Sequence, residues 1–186
     1  MDGRKPVLVI GGTGMLRDAV RALAQRGDTV LAAARRPARA APDGPVPGSF
    51  IPVTAEWRKP EGLADGALTA MRDHGFPPAS LPGAIAWVHA PHRQAVFDQL
   101  ERVLSREATV LQLWGSAHRD PREVMAEETR TPRPWTMRHL LLGYRSDRGG
   151  SRWLTHAEIS EAALRAWDGD DPYAIAGRLD PWEHRL

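Results

Sequence analysis

Apolar residues along this chain switch between two periods, and the switches mark out its elements. Val7–Ile10 is an unbroken apolar run that ends in glycines, as expected of a short strand buried on both faces. From Met15 to Arg26 the period lengthens to that of a helix: Leu16, Val20, Leu23 and Ala24 share one face, and Gly27 follows as a stop. "DTVLAAAR" (28–35) reads as a second strand. Strand, glycine turn, helix, strand is the opening of a nucleotide-binding βαβ unit.

Residues 35–49, "RRPARAAPDGPVPGS", hold four prolines and two glycines. Interior prolines remove backbone donors, so an irregular surface loop is predicted where a crossover helix would otherwise stand. "FIPVTAEW" (50–57) is a third strand weakened early by Pro52, and Glu61–His74 a helix. "AIAWVH" (84–89) is the fourth strand, Gln94–Glu107 the helix after it, and "TVLQLWGS" (109–116) the fifth strand. Asp120, with Pro121 and Glu123 behind it, caps a short helix that Pro132 and Pro134 keep from running on. "RHLLLGYR" (138–145) is a sixth strand, Thr155 and Glu158 form a capping box for a helix through Trp167, and "PYAIAGRL" (172–179) is the last strand. No repeat or linker divides the chain, which is expected to be one domain over 1–186.

Composition narrows the class. Hydrophobic residues at 42% and charged residues at 26% suit a globular domain with its own core. The absence of cysteine excludes disulfides, thiolate nucleophiles and cysteine-bound zinc. No apolar run nears the roughly 20 residues of a membrane span, so a cytoplasmic protein without membrane attachment is expected. The net charge is only +2, and the arginines are spread along the chain rather than gathered in a patch. That argues against nucleic acid as a partner.

The turn itself, Gly11-Gly12-Thr13-Gly14-Met15-Leu16, supplies bare amides at the positive end of a helix, an arrangement that favours a pyrophosphate. Arg35 and Arg36 stand just after the second strand, where an acid would bind the ribose 2′-hydroxyl of NAD. Two guanidiniums there favour a 2′-phosphate, and NADP(H) is the expected cofactor; a solvated loop start is the other reading. Glu56 and Trp57 after the third strand are placed to border the adenine, and His89 and Ala90 after the fourth to touch the ribose.

"VLVIGGTGML" followed by "AAARR" resembles the cofactor turn of the short-chain dehydrogenase/reductase superfamily. "SRWLTHAEIS" and "PYAIAGRLDPWE" (151–160, 172–183) are similar to a small bacterial branch of it, so the likeness spans nearly the whole chain. It implies a doubly wound Rossmann-type α/β domain with a mostly parallel sheet of about seven strands, ordered 3-2-1-4-5-6-7. It also implies an NAD(P)H-dependent oxidoreductase, and a homodimer whose contact would use the stripe Val96, Leu100, Val103 and Leu104 unless that stripe faces the sheet. Two departures stand out. The third glycine of the family turn falls at Arg17. The family's tyrosine, followed four positions on by lysine, is missing: Arg148 follows Tyr144, Gly177 follows Tyr173, and the two lysines, Lys5 and Lys59, lie elsewhere.

The remaining candidates for chemistry each carry two readings. Ser116 sits where the family keeps a substrate-binding serine, or is ordinary turn chemistry. His118 is a proton donor near that cleft or a surface histidine. Tyr144 enters the cleft or is a half-buried strand aromatic. His89 and His92 have a spacing of three, but Pro91 between them and the lack of a joining carboxylate argue against a metal. The leading reading is an NADP(H)-dependent reductase of a small molecule with an imine-like or conjugated acceptor, which arrives already activated. The alternative is a cofactor-binding sensor or partner protein without turnover.

Overall fold

Strand β1 (Val7–Ile10) lies inside a seven-stranded sheet, hydrogen-bonded in parallel to β2 (Thr29–Ala34) on one side and β4 (Leu81–Ala86) on the other. The structure is a computed structural model, and it describes residues 6–115, 119–147 and 150–182. With β3 (Ser49–Thr54), β5 (Leu104–Trp114), β6 (Thr136–Leu142) and β9 (Tyr173–Ala176) the order is β3-β2-β1-β4-β5-β6-β9, every pairing parallel. The expected doubly wound topology is present.

Alternation along β1 explains why no polar residue is tolerated there. Leu8 and Ile10 pack into the layer that holds α2 (Pro60–Asp73) and α3 (Arg93–Leu100), through Leu63, Met71, Val96 and Leu100. Val7 and Val9 point into the opposite layer, against Val20 and Leu23 of α1 (Arg17–Gln25) and Ile159 and Ala163 of α5 (His156–Asp168). Arg17, in place of the family glycine, turns its half-exposed side chain outward to Asp18.

Several boundaries differ from the sequence reading, each for a local reason. The helix expected over 94–107 ends at Leu100, because Leu81 donates to the carbonyl of Val103 and draws the chain back to the sheet. β5 therefore starts at Leu104, opposite Leu81. Val96, Leu100, Val103 and Leu104 are all buried within the chain, so the stripe expected to meet a second copy faces the sheet instead. β4 ends at Ala86, which leaves Trp87, Val88 and His89 as a rim.

The run 138–145 is two strands, not one. At Tyr144 the main chain exchanges hydrogen bonds with Arg178 and leaves β6 for a hairpin, β7 (Tyr144–Asp147) and β8 (Gly150–Trp153). Glu158 pairs with Arg145 and Arg152, one from each hairpin strand, and ties the hairpin to α5. The loop after β2 holds only a 3₁₀ turn at Pro37–Ala40.

Both sequence-predicted caps are made. The Asp120 carboxylate accepts from the amide of Arg122 at the start of α4 (Pro121–Glu128), and Thr155 and Glu158 form the full capping box of α5. The other end of α5 is closed by Arg138 of β6. Its buried guanidinium donates to the carbonyls of Ala166, Trp167, Gly169 and Asp171, groups the helix end cannot satisfy alone. Among the described residues no helix is long and apolar enough to cross a membrane.

Candidate functional site

At the carboxyl ends of the strands two cavities adjoin, sharing Met15 and Trp87 in their walls. The smaller, about 280 Å³, lies over the glycine turn and the ends of β2 and β3. The larger, about 600 Å³, lies over the ends of β4, β5 and β6 and is closed on one side by Trp153 from the hairpin and Ile159 from α5. Ligands of open α/β sheets bind at such carboxyl-end crevices.

The glycine turn has the groups an anion needs. Among the described residues the amides of Gly12, Thr13, Met15 and Leu16 make no hydrogen bond within the protein. Gly11 has φ +89°, and a Cβ there would come within 3.0 Å of the Trp87 carbonyl oxygen, so only glycine fits. A Cβ on Gly14, by contrast, would meet nothing within 4 Å: that α-carbon faces open space in the cavity wall. The carbonyl of Met15 is held from the far end of the sequence by the Ser160 hydroxyl, which donates to it at 2.7 Å.

The predicted cofactor residues divide between the cavities. Gly11, Thr13, Gly14, Met15, Arg35, Glu56 and Trp57 line the smaller one. Gly12 and Leu16 are packed beneath the turn, with Leu16 fully buried, and offer only their amides. Arg36 is exposed and lines neither cavity. Neither Arg35 nor Arg36 has an ion-pair partner among the described residues. His89 and Ala90 belong to the larger cavity. The His89 ring sits edge-on to Trp57 at 5.3 Å and to Trp87 at 5.0 Å. Burial, then the charge of Arg93, pushes its pKa below the ordinary histidine value, so the ring is neutral at pH 7.

The predicted catalytic residues fare differently. Ser116 and His118 lie outside the described residues. Tyr144 is a correction: it is 1% exposed and lines neither cavity. Its ring packs against Trp182 in a small core with Trp114, Leu141 and Leu179, and its hydroxyl donates to the Pro181 carbonyl at 2.7 Å. The turn of the chain at Tyr144 aims the side chain away from the cleft.

The sequence did not point to several residues of the site, Trp87, Glu128 and Arg93 among them. Trp87 forms the wall common to both cavities, and Glu128 and Arg93 meet as an ion pair beside the larger one. A signal for Arg93 existed, because a cation at the first position of a helix opposes the helix dipole and needs another reason to be there.

No protein-family model matches the chain, and no curated protein does. Solved structures match it along nearly its whole length. The reductase/Diels-Alderase MalC from Malbranchea aurantiaca superposes with a TM-score of 0.62 at 15% identity, over 94% of this chain and 95% of that one. A short-chain dehydrogenase/reductase from Serratia marcescens gives 0.61 at 13%, over 95% and 99%. A metagenomic short-chain oxidoreductase solved with NADP gives 0.54 at 14%, over 94% and 96%. The chain has the fold of the short-chain dehydrogenases and reductases. Gly11–Leu16 and Arg35 stand at the carboxyl ends of β1 and β2 in this fold.

Proposed function

We propose that the protein is an NADP(H)-dependent reductase of the short-chain dehydrogenase type, acting on a small organic molecule with an imine-like or conjugated acceptor. The observation that carries the reading is that the two cavities adjoin. Bare turn amides and an unpaired Arg35 stand in one, an apolar chamber stands in the other, and Met15 and Trp87 are common to both.

The residues present fit a dinucleotide. The amides of Gly12, Thr13, Met15 and Leu16 would hold its pyrophosphate, and Arg35 its 2′-phosphate through charge-assisted bonds. Bound NADPH supplies a hydride. The protein's part is to position the acceptor and exclude water, and the aromatic and aliphatic wall of Trp87, Leu142, Trp153 and Ile159 does that. Reducing a plain ketone also calls for a proton donor, and the tyrosine–lysine pair is absent from the sequence while Tyr144 is buried. An acceptor already activated, such as an iminium or an enone, makes less demand on a donor, which supports that substrate class.

The test follows NADPH oxidation with matched cyclic imines, enones and ketones. Turnover of imines or enones above ketones is the expected result. Fast reduction of simple ketones overturns the substrate class, and tight NADPH binding with no turnover on any panel favours a cofactor sensor instead.

A further inference from the structure

Arg93 opens α3, where the helix dipole disfavours a cation, yet it is 4% exposed and held in one pose. Its Nε donates to the Val88 carbonyl at 3.0 Å, and the guanidinium lies 4.5 Å from the centre of the Trp114 ring. Nη1 is buried against the Glu128 carboxylate as an ion pair that lacks hydrogen-bond geometry. Nη2 has no hydrogen-bond partner among the described residues. A rigid guanidinium with donors to spare thus lines the larger cavity.

The charge around it points the same way. Arg119 lines the cavity too, while its carboxylate partners Glu123 and Glu127 do not. Glu128 is the one carboxylate among the described lining residues, so cations outnumber it. Apart from His89, the rest of the wall, including Leu142, Trp153, Leu154 and Ile159, is apolar. Such a chamber suits a molecule with one anionic end and an apolar body.

We propose that the larger cavity takes an organic carboxylate and that Arg93 binds its charged end through the edge Glu128 leaves open. The inference rests on reading that cavity as the substrate site. The open Nη2 can donate a charge-assisted bond to one carboxylate oxygen. Glu128 competes for the same cation from within the protein.

The test titrates the full chain without cofactor, by tryptophan fluorescence, using cinnamate and cinnamamide as probes of equal shape. Trp87 and Trp153 in the wall and Trp114 under Arg93 report occupancy. Cinnamate should bind at least about tenfold more tightly than the amide, the scale of a charge-assisted bond. Arg93→Met should erase that preference. If that variant does not fold, Glu128→Gln still decides: with the competing carboxylate gone, cinnamate should tighten about fivefold and cinnamamide stay unchanged. Equal binding of the two probes to the unaltered protein, or an unmoved cinnamate affinity in Glu128→Gln, overturns the proposal. NADPH binding without a cinnamate preference removes the carboxylate site alone. A cinnamate preference without NADPH binding removes the reductase reading and leaves the carboxylate site standing.

Discussion

The hydroxyl of Ser160 donates to the carbonyl oxygen of Met15, joining residues 145 positions apart at 2.7 Å. Ser160 is 1% exposed on α5, and Met15 belongs to the glycine turn. The bond fixes the turn from the opposite end of the chain, so the carboxyl-terminal helix takes part in holding the amides open. Ser160→Ala leaves the Met15 carbonyl without its partner. We expect a loss of about 1 kcal/mol, seen as a melting temperature lower by about 2–4 °C, and weaker NADPH binding. Unchanged melting and unchanged cofactor affinity would show that the turn holds itself.

Gly14 separates folding from binding. A Cβ at that position meets nothing within 4 Å, and the backbone there is not left-handed, so Gly14→Ala should fold with stability unchanged or slightly raised. The added methyl group stands where a phosphate must approach the backbone, and NADPH affinity should fall by about tenfold or more. Calorimetric titration beside a thermal melt reads both. Wild-type affinity in the variant would place the phosphate elsewhere.

Tyr144 should matter for stability and not for turnover. Tyr144→Phe deletes the bond to the Pro181 carbonyl, at a cost of about 1 kcal/mol, while the turnover number should stay within about twofold. A hundredfold loss of turnover in a folded variant would put the hydroxyl back in the chemistry.

His139 ties stability to pH. The Trp114 indole N–H donates to its Nδ1 at 3.0 Å, Tyr173 stacks on its other side, and burial lowers its pKa. With the folded pKa below the unfolded one, the unfolded chain binds the proton first. Stability is therefore complete above the unfolded value of about 6.5, declines as the pH falls through it, and levels off below the folded value. His139→Asn keeps an acceptor and removes the titration, so its melting temperature should fall less between about pH 7 and pH 5.5. Identical slopes for the two proteins would contradict this.

Much of this was legible in the residues. The apolar run into Gly11–Gly14, the helix stripe at Val20 and Leu23, and the two capping sequences each encode local geometry through period or side-chain chemistry, and each appears in the fold. The parallel order of the sheet came from resemblance rather than from any residue. What stayed hidden depends on contacts distant in sequence. Nothing near Tyr144 says that its backbone will bond Arg178 and turn its ring into the core. Nothing near Ser160 names Met15. Arg93 and Glu128 meet only because α3 and α4 converge above β5, and the apolar period through Val103 ran on as a helix because Leu81, its competing partner, lies two elements earlier.

On the proposed function, the smaller cavity holds NADP(H), with Arg35 on the 2′-phosphate. Isothermal titration of the full chain with NADPH and NADH, repeated on Arg35→Ala, checks this. NADPH should bind at least about tenfold more tightly than NADH, and Arg35→Ala should cost NADPH roughly 1.5–3 kcal/mol while leaving NADH nearly unchanged. Equal affinities for the two cofactors, or binding of neither, would contradict it.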